Sequence, residues 1–209
     1  MFDHAVVVEN LAKHYPGPVR AVDDISFQVE RGSIFGFLGP NGAGKSTTIK
    51  ILTTLALPTQ GRASVGGFDV VSQAESVRRI LGVALQEIGI DPLMKPLELL
   101  TLQGQLFGAS RAEAKKRAQD LIRLIKLTEA VDRRAGTYSV GMRRRLDLAM
   151  ALVHRPKVLF LDEPTTGLDP ASRRDIWQEL RHLNTDLGIT IFLTTQYMEE
   201  ADELADRVM

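Results

Sequence analysis

Two adjacent carboxylates, Asp162 and Glu163, directly follow an apolar run and are the first residues whose types and spacing suggest chemistry. The run from Val158 to Leu161 indicates a strand that is buried on both faces, and Pro164 ends the pattern. Charged carboxylates are costly beside a dry core unless a cation or hydrogen-bond donors compensate them. We therefore expect the fold to bring a partner for these two acids to the end of this strand.

A glycine-rich segment, GPNGAGKST, predicts what that partner is. It matches G-x-x-x-x-G-K-[ST] and lies between a predicted strand and a predicted helix, as this nucleotide-binding motif requires. The backbone N–H groups of such a loop point inward at phosphate, and the N-terminus of the following helix adds positive dipole charge. The alternative is an accidental glycine turn, expected in about one chain in a hundred of this size at average residue frequencies. The motif predicts a phosphate loop formed by Gly39, Pro40, Asn41, Gly42, Ala43, Gly44, Lys45, Ser46 and Thr47.

The loop and the two acids together predict roles for individual side chains. Lys45 would reach the β and γ phosphates of a nucleotide, and Ser46 would ligate Mg²⁺. In a fold of this kind the strand that ends at Asp162 lies near the one carrying the loop, so Asp162 would hold Mg²⁺ directly or through water. Glu163 would point at the γ-phosphate and polarise the attacking water. A strand that merely ends in surface acids is the alternative.

Composition excludes several other classes of protein. The 209 residues are 44% apolar and 25% charged, which is typical of a globular chain. Lys and Arg number 26, as do Asp and Glu, so net charge gives no argument for nucleic-acid binding. Without cysteine there are no disulfides or thiolate metal sites. The sequence has no apolar run near the ~18 residues that span a bilayer, and its N-terminus lacks the basic stretch of a leader, so we expect a cytoplasmic protein.

The elements that must position these residues follow an α/β pattern. Apolar runs predict strands, and three- and four-residue apolar spacing predicts helices. The first half contains strands starting at Ala5 and Ile25, strands at Ser33–Gly39 and Leu81–Gln86, and a helix at Lys45–Leu55. These elements place the phosphate loop directly between a strand and a helix.

Strand signals disappear from Ile88 to about Leu127, where an amphipathic helix begins with the capping pair Ser110 and Glu113. A further helix is predicted at Met142–Val153. Strands return at Lys157 and at Thr190–Thr195, separated by a helix with Asp169 as its N-cap and Pro170 at its first position. The pattern predicts a mostly parallel α/β core interrupted by a helical insertion.

The ordered set of motifs GPNGAGKST, YSVGMRRRLDLAMAL, LFLDEP and GLDP resembles the nucleotide-binding subunit of an ABC (ATP-binding cassette) transporter. The sequences of two segments, TYS-G-MRRRLDLA and TTQYMEEAD, resemble those of the daunorubicin-resistance branch of bacterial drug exporters. The resemblance implies an α/β P-loop NTPase (RecA-like) fold with an N-terminal antiparallel β element. It also implies an ATP-binding core at residues 1–87 and 146–209 and a helical subdomain at residues 88–145.

The resemblance implies further nucleotide contacts within one subunit. Tyr15 would stack on adenine, although an aromatic residue on an edge strand is the plainer alternative. Gln86 would touch Mg²⁺ and lead to the membrane partner, unless it is simply a surface glutamine. Gln196 stands where the family usually has a histidine that hydrogen-bonds the γ-phosphate.

Other residues would act across a dimer. The signature segment Tyr138–Met142 stands where the family has LSGGQ, so Ser139 and Gly141 would face the γ-phosphate held by the other subunit. Ser139 can also serve as an ordinary N-cap, which is compatible with that role. Asp169 would cross the dimer interface, although its N-cap role requires no partner.

Two departures from the family pattern predict slow turnover with ATP binding kept. Val140 replaces a glycine and would be costly if the backbone needs positive φ, but not if it is helical. Gln196 can donate a hydrogen bond but cannot become cationic as histidine can. The basic run Arg143–Arg145 is interpreted as a solvated helix face or a patch that contacts the partner subunit.

The function implied is that of an ATPase using ATP and Mg²⁺, which closes as a head-to-tail homodimer or with a paired ABC subunit. It would drive transport, in the direction of export, through a separate transmembrane permease at the cytoplasmic face of the membrane. The segment EIGIDPLMKPLELL would receive the permease. No nucleic-acid partner is expected.

Two alternatives remain open. One is a nucleotide-gated binding module that barely hydrolyses ATP, and the other is a soluble ABC ATPase of translation or DNA repair. The second usually has two cassettes or long coiled-coil insertions, which this sequence lacks. The final residues ADRVM predict the opening of another strand, and because family members usually continue, we expect a truncated C-terminus with an exposed sheet edge.

Overall fold

A computed structural model describes residues 4–87 and 89–209, which form two sheets and a group of helices. Ile88, where the strand-free segment was predicted to start, lies outside them. In chain order the elements are β1 (His4–His14), β2 (Arg20–Glu30), β3 (Ile34–Leu38), α1 (Lys45–Leu52), β4 (Gln60–Val65), β5 (Phe68–Asp69), α2 (Ala74–Ile80), β6 (Leu81–Ala84), α3 (Pro96–Leu106), α4 (Arg111–Leu124), α5 (Val140–Leu152), β7 (Val158–Asp162), α6 (Pro170–Leu187), β8 (Thr190–Thr195), α7 (Met198–Leu204) and β9 (Arg207–Val208), with 3₁₀ turns at Thr128–Ala130 and Ala135–Thr137.

The larger sheet is parallel and has the strand order β6-β7-β8-β3-β9. Every residue of β7 and β8 is buried, as expected of central strands covered on both faces. β8 lies between β7 and β3, so the strand carrying the two acids is near the loop strand but not next to it. The predicted final strand is confirmed as β9, which pairs with β3.

The smaller sheet is antiparallel, with the order β2-β1-β4-β5, and confirms the predicted N-terminal β element. Its strands β4 and β5 were not predicted. Between the two sheets lies a group of aromatic rings whose centroids are 5.4–5.9 Å apart: Phe27, Phe35, Phe37, Phe160 and Phe192. These rings fix the antiparallel sheet against one face of the parallel sheet.

The opposite face of the parallel sheet is covered by helices. Leu159 and Leu161 of β7 point to this side, while Phe160 between them points to the aromatic group, as strand alternation requires. The capping pair of α4 is confirmed, since Glu113 N–H donates to Ser110 Oγ and Ser110 N–H donates to Glu113. Helix α3 was not predicted. α5 runs across the boundary predicted at 145/146 without a break, and that division remains a prediction.

Several predicted bounds were wrong. α5 begins at Val140 rather than Met142, and β2 begins at Arg20 rather than Ile25. α1 ends at Leu52 rather than Leu55, because Thr54 adopts positive φ and turns the chain out of the helix. β6 ends at Ala84 rather than at Gln86. Among residues 4–87 and 89–209, no helix combines the length and the apolar character needed to cross a membrane.

Candidate functional site

One edge of the parallel sheet carries the phosphate loop, the two acids, Gln86 and Gln196. Parallel strands end on the same side, and in doubly wound sheets this edge is where ligands bind. The phosphate loop follows β3, Gln196 follows β8, the two acids end β7, and Gln86 lies just beyond β6. The register pairs Leu38 with Thr195 and Asp162 with Thr194, so these strand ends are level with one another.

The phosphate loop is shaped by glycines with positive φ. Gly42 has φ 83° and Gly44 has φ 89°, conformations that other residues rarely adopt. A Cβ on Gly44 would also lie 2.1 Å from the carbonyl oxygen of Ala21, so no side chain fits there. The loop is thereby packed against the start of β2, and α1 begins at the next residue with its N-terminal dipole behind the loop.

Lys45 is the cation that pairs with Glu163, one of the two acids. Its side chain is only 5% exposed, and its ammonium donates to the carbonyl oxygens of Gly39 at 2.7 Å and Pro40 at 3.0 Å. Its Nζ also lies 3.2 Å from Oε1 of Glu163. Lys45 therefore joins the phosphate loop to the end of β7, and the expectation that a partner compensates the acids is confirmed for Glu163.

The acids themselves are held by threonines that sequence reasoning did not identify. The hydroxyl of Thr194 donates to Asp162 Oδ1 at 2.6 Å and accepts from the N–H of Glu163 at 3.0 Å. The hydroxyl of Thr166 donates to Glu163 Oε2 at 3.1 Å. Glu163 has φ 50°, an unusual value for a non-glycine residue that directs its carboxylate to Lys45 while its own N–H stays bound to β8. The repeated threonines of TIFLTT were the available signal for Thr194, and those that follow Pro164 were the signal for Thr166.

Three other residues were predicted to belong to the same nucleotide site: Gln196, Gln86 and Tyr15. The N–H of Gly39 donates to the carbonyl of Thr195 at 3.1 Å, which places Gln196 beside the start of the loop. Gln86 is exposed. Tyr15 is 40% exposed in the turn that leads to Ala21, the residue packed on Gly44, and its ring lies 5.0 Å from the ammonium of Lys13.

The signature segment forms a separate, outward-facing part of the site. Ser139 caps α5 by accepting a hydrogen bond from the N–H of Met142 at 3.2 Å. Val140 is the first residue of that helix and does not have positive φ. The steric cost that a β-branched side chain would have at positive φ is therefore absent. Among the described residues, no hydrogen bond joins Ser139 or Gly141 to the phosphate loop.

The N-terminus of α6 lies beside the signature segment. A Cβ built on Gly141 would be 3.5 Å from Ser172 Oγ, and Ser172 donates to Asp169. Asp169 also caps α6 by accepting from the N–H groups of Ala171 and Ser172, both at 3.0 Å, and the bonds from Ser172 lower its pKa. Two helix N-termini, those of α5 and α6, therefore share one surface.

The interpretation of the basic run as a solvated face was wrong for Arg144 and Arg145, while the alternative of a patch that contacts the partner subunit stays a prediction. Arg144 is buried, and its guanidinium donates to the carbonyl oxygens of Leu85 at 2.8 Å and Glu163 at 3.4 Å. Arg145 is mostly buried against α6, where it pairs with Asp175 and Glu179. The reason for the error is that α5 is covered on several sides, so two consecutive arginines both face protein.

Comparison with known proteins agrees with this geometry. A family model described as ABC transporter matches residues 22–166. The chain is 50% identical over 208 residues to the doxorubicin resistance ATP-binding protein DrrA of Mycobacterium tuberculosis, covering 99% of this chain and 62% of that protein. It is also 50% identical over 204 residues to the daunorubicin/doxorubicin resistance ATP-binding protein DrrA of Streptomyces peucetius, covering 98% and 61%.

The fold matches solved structures as well. A dimeric ATP-binding cassette in a post-hydrolysis state, bound to ADP and Pi, superposes with a TM-score of 0.85 at 26% identity, covering 95% of this chain and 91% of that one. The chain spans about three-fifths of the length of the resistance proteins that it matches. On its family match, its fold and its likeness to these resistance proteins, the chain belongs to the ABC transporter family, in the daunorubicin-resistance branch.

Proposed function

We propose that this chain binds and hydrolyses ATP to drive transport. The observation that carries the proposal is the 3.2 Å contact between Lys45 Nζ and Glu163 Oε1 at the mouth of a glycine-shaped loop. Lys45 would exchange its carbonyl and carboxylate partners for phosphate oxygens, and this would release Glu163 to accept a proton from the attacking water. Gln196, beside Gly39, would donate a hydrogen bond to the γ-phosphate.

The residues present fit Mg²⁺. Ser46, Gln86 and Asp162 offer hydroxyl, amide and carboxylate oxygens, the donors that this ion prefers. Asp162 is 3% exposed, and the Thr194 hydroxyl binds one of its oxygens, which leaves the other available as a ligand. When bound, the ion would neutralise phosphate charge. Thr194 holds the carboxylate in place, and Tyr15 would contribute a stacking surface for adenine.

We infer that the ATP site is complete only in a head-to-tail dimer. Ser139, Gly141 and Asp169 share an outward surface where two helix N-termini would favour an anion. The related cassette of solved structure is dimeric with ADP and Pi bound. In the dimer, the signature segment of one copy would face the phosphate loop of the other. Because the contacts to γ-phosphate exist only in the closed state, hydrolysis would reopen it.

A separate permease would complete the transporter at the cytoplasmic face of the membrane. Similar proteins are named for resistance to doxorubicin and daunorubicin, and this favours export of a drug-like molecule. The segment from Glu87 to Leu100 would contact the permease. Exposed apolar side chains at Leu93 (69%) and Leu102 (46%), in and just beyond this segment, are consistent with that contact.

The variant Glu163→Gln tests this function. Removal of the base should lower phosphate release by about 10²–10⁴-fold, while ATP affinity is retained because the amide is nearly isosteric. The variant should also accumulate as an ATP-bound dimer in size-exclusion chromatography. Glu203→Gln, which changes an exposed glutamate whose carboxylate makes no hydrogen bond or ion pair in the described residues, is the matched control.

The same variant separates hydrolysis from a nucleotide-gated module. If the parent closes on ATP but releases phosphate no faster than Glu163→Gln, the gating function replaces the one proposed. If the parent neither binds ATP nor forms a dimer with it, both fail.

A further inference from the structure

Arg144 occupies an unusual place for a charged side chain. It is only 6% exposed and lies five residues after Ser139 in α5, which we call the signature helix because it begins in the signature segment. Its Nη1 donates to the carbonyl oxygen of Leu85 at 2.8 Å, and its Nη2 donates to the carbonyl oxygen of Glu163 at 3.4 Å. The nearest carboxylate is Asp147 on the same helix, 3.7 Å away.

These acceptors belong to two other parts of the candidate site. Leu85 directly precedes Gln86, and the carbonyl of Glu163 belongs to the residue that turns the chain with φ 50°. The guanidinium fork therefore connects three segments: the signature helix, the approach to Gln86 and the backbone of the proposed base. Because an α-helix is stiff over this short distance, a displacement of Ser139 moves Arg144 with it.

The cost of this arrangement indicates that it is more than a generic packing contact. Burial lowers the pKa of Arg144, and burial raises the pKa of Asp147 to about 7 despite the nearby guanidinium. Burying such groups stabilises a fold only when their geometry is excellent. The neighbouring Arg145 differs, because its partners Asp175 and Glu179 are carboxylates of α6, away from the acids at the end of β7.

We propose that Arg144 is a positioning residue that couples the two nucleotide sites of the dimer. This inference rests on the proposed function. Ser139 of one copy would contact the ATP held by its partner, whereas Glu163 of the same copy would act on its own ATP. A shift of the signature helix on the partner's nucleotide is transmitted by Arg144 to the carbonyl of Glu163. Each site thereby adjusts the base of the other.

The test compares the same substitution at adjacent positions, Arg144→Lys and Arg145→Lys. Lysine has a single nitrogen at its end and cannot hold both carbonyls in the planar fork that arginine provides. For Arg144→Lys we expect kcat to fall by about 10–100-fold, with KM for ATP changed less than about threefold. The Hill coefficient for ATP should fall to about 1, since coupling between sites is lost. Arg145→Lys should keep the parent's Hill coefficient.

Mixed dimers locate the effect. One copy carries Glu163→Gln, so that hydrolysis occurs only at the other copy's base. Arg144→Lys should lower kcat when it is on the copy with intact Glu163, and should leave kcat near the parent mixed dimer when it is on the copy with Glu163→Gln. Equal losses from both placements would overturn the inference.

Other outcomes also decide the matter. A parent that hydrolyses ATP with a Hill coefficient of 1 has no coupling to lose, which refutes the role of Arg144 but leaves the proposed function standing. A parent that does not hydrolyse ATP refutes the proposed function itself. If Arg144→Lys melts well below the parent, Arg144→Gln, which keeps an amide donor, is judged by the same measurements, and equal effects in Arg145→Lys would show a merely structural role.

Discussion

The phosphate loop and the signature segment are the two halves of the proposed ATP site, and they are built in opposite ways. In the loop half, residues 40–43 are exposed but Lys45 is buried, and its charge is already satisfied by two carbonyls and Glu163. In the signature half, Ser139 is exposed, and Gly141 is only partly covered by Ser172 and Leu168. One half is complete within a single chain, and the other presents unfilled hydrogen-bonding capacity to whatever faces it.

Because of this difference, we expect nucleotide binding and turnover to be separable by mutation. Changes in the loop half should damage binding in the monomer, because the loop shape and the Lys45 contacts are made within one chain. Changes in the signature half should leave the monomer intact and affect only the closed dimer.

The largest effect is expected from Gly44→Ala. A Cβ at this position would lie 2.1 Å from the Ala21 carbonyl, and φ is 89°, so the loop must move away from β2. We expect destabilisation of about 3 kcal/mol or more and at least ~100-fold weaker ATP binding. Denaturant unfolding and calorimetric titration with ATP measure the two quantities.

Gly108→Ala is the matched control for that variant. Gly108 has the same φ of 89°, but nothing lies within 4 Å of an added Cβ. It should lose only the ~1–2 kcal/mol of left-handed strain and keep its ATP affinity. Equal loss of affinity in both variants would contradict the specific packing argument for Gly44.

Gly141→Ala should have the next largest effect, and only on turnover. The added Cβ meets Ser172 at an ordinary 3.5 Å, and Gly141 lies in a helix without positive φ. The monomer should therefore be as stable as the parent or up to ~1 kcal/mol more stable. Phosphate release should fall by about 10–100-fold, because the new methyl group crowds the ATP of the partner copy.

The check for Gly141→Ala uses the trapping background. Combined with Glu163→Gln, it should prevent the ATP-bound dimer that Glu163→Gln alone accumulates. A double variant that still forms this dimer would place the signature glycine outside the interface.

Gln196→His should produce a smaller change, and in the opposite direction. A hydrogen bond to a charged group is worth about 1.5–3 kcal/mol, and glutamine already supplies part of it, so we expect turnover to rise by about tenfold or less. The gain should fade as pH rises above ~6.5, where an ordinary histidine loses its charge. Steady-state phosphate release across pH measures it, and an unchanged or lower rate at pH 6 would contradict the role of Gln196.

Local sequence predicted the loop half of the site better than the residues around it. The loop glycines, Lys45 and the two acids follow from a contiguous motif and one strand end, so short-range pattern was sufficient. Thr194 and Thr166 were missed because their hydroxyls meet the acids only through strand pairing and a turn. Arg144 was misjudged because three consecutive arginines suggest a solvated face, while the covering of α5 by neighbouring segments is a property of the tertiary fold.

Similar reasoning explains the elements that were missed. β4 carries only two buried apolar side chains, Ala63 and Val65, so its strand signal is weak. Its place beside β1 is fixed by the antiparallel sheet. α3 begins after an irregular, proline-containing stretch. Its capping contact joins Lys95 and Glu98, and lysine is not an N-cap residue from which a capping box is predicted. The short α7 was also missed, although Glu200 on it accepts hydrogen bonds from Thr165 and Trp177.

The smallest effect is expected from Glu179 of α6, a buried acid whose nearest cation is Arg145 of α5. Glu179 is 9% exposed, and although Arg145 lies 3.5 Å away, burial outweighs that pair and raises the pKa of Glu179 from 4.5 to about 7. Between these two values the folded protein binds more protons than the unfolded chain, so the contribution of Glu179 to stability is present at low pH and is lost as pH rises toward 7. Glu179→Gln removes this titration. We therefore expect its free energy of unfolding to rise by about 1–2 kcal/mol relative to that of the parent between pH 5 and pH 8, less than the full pKa shift implies because Glu179 borders an open cleft.

Urea unfolding at both pH values measures this difference, and Glu129→Gln, at an exposed position, is the control. If Glu179→Gln and the parent show parallel pH profiles, Glu179 is charged throughout this pH range.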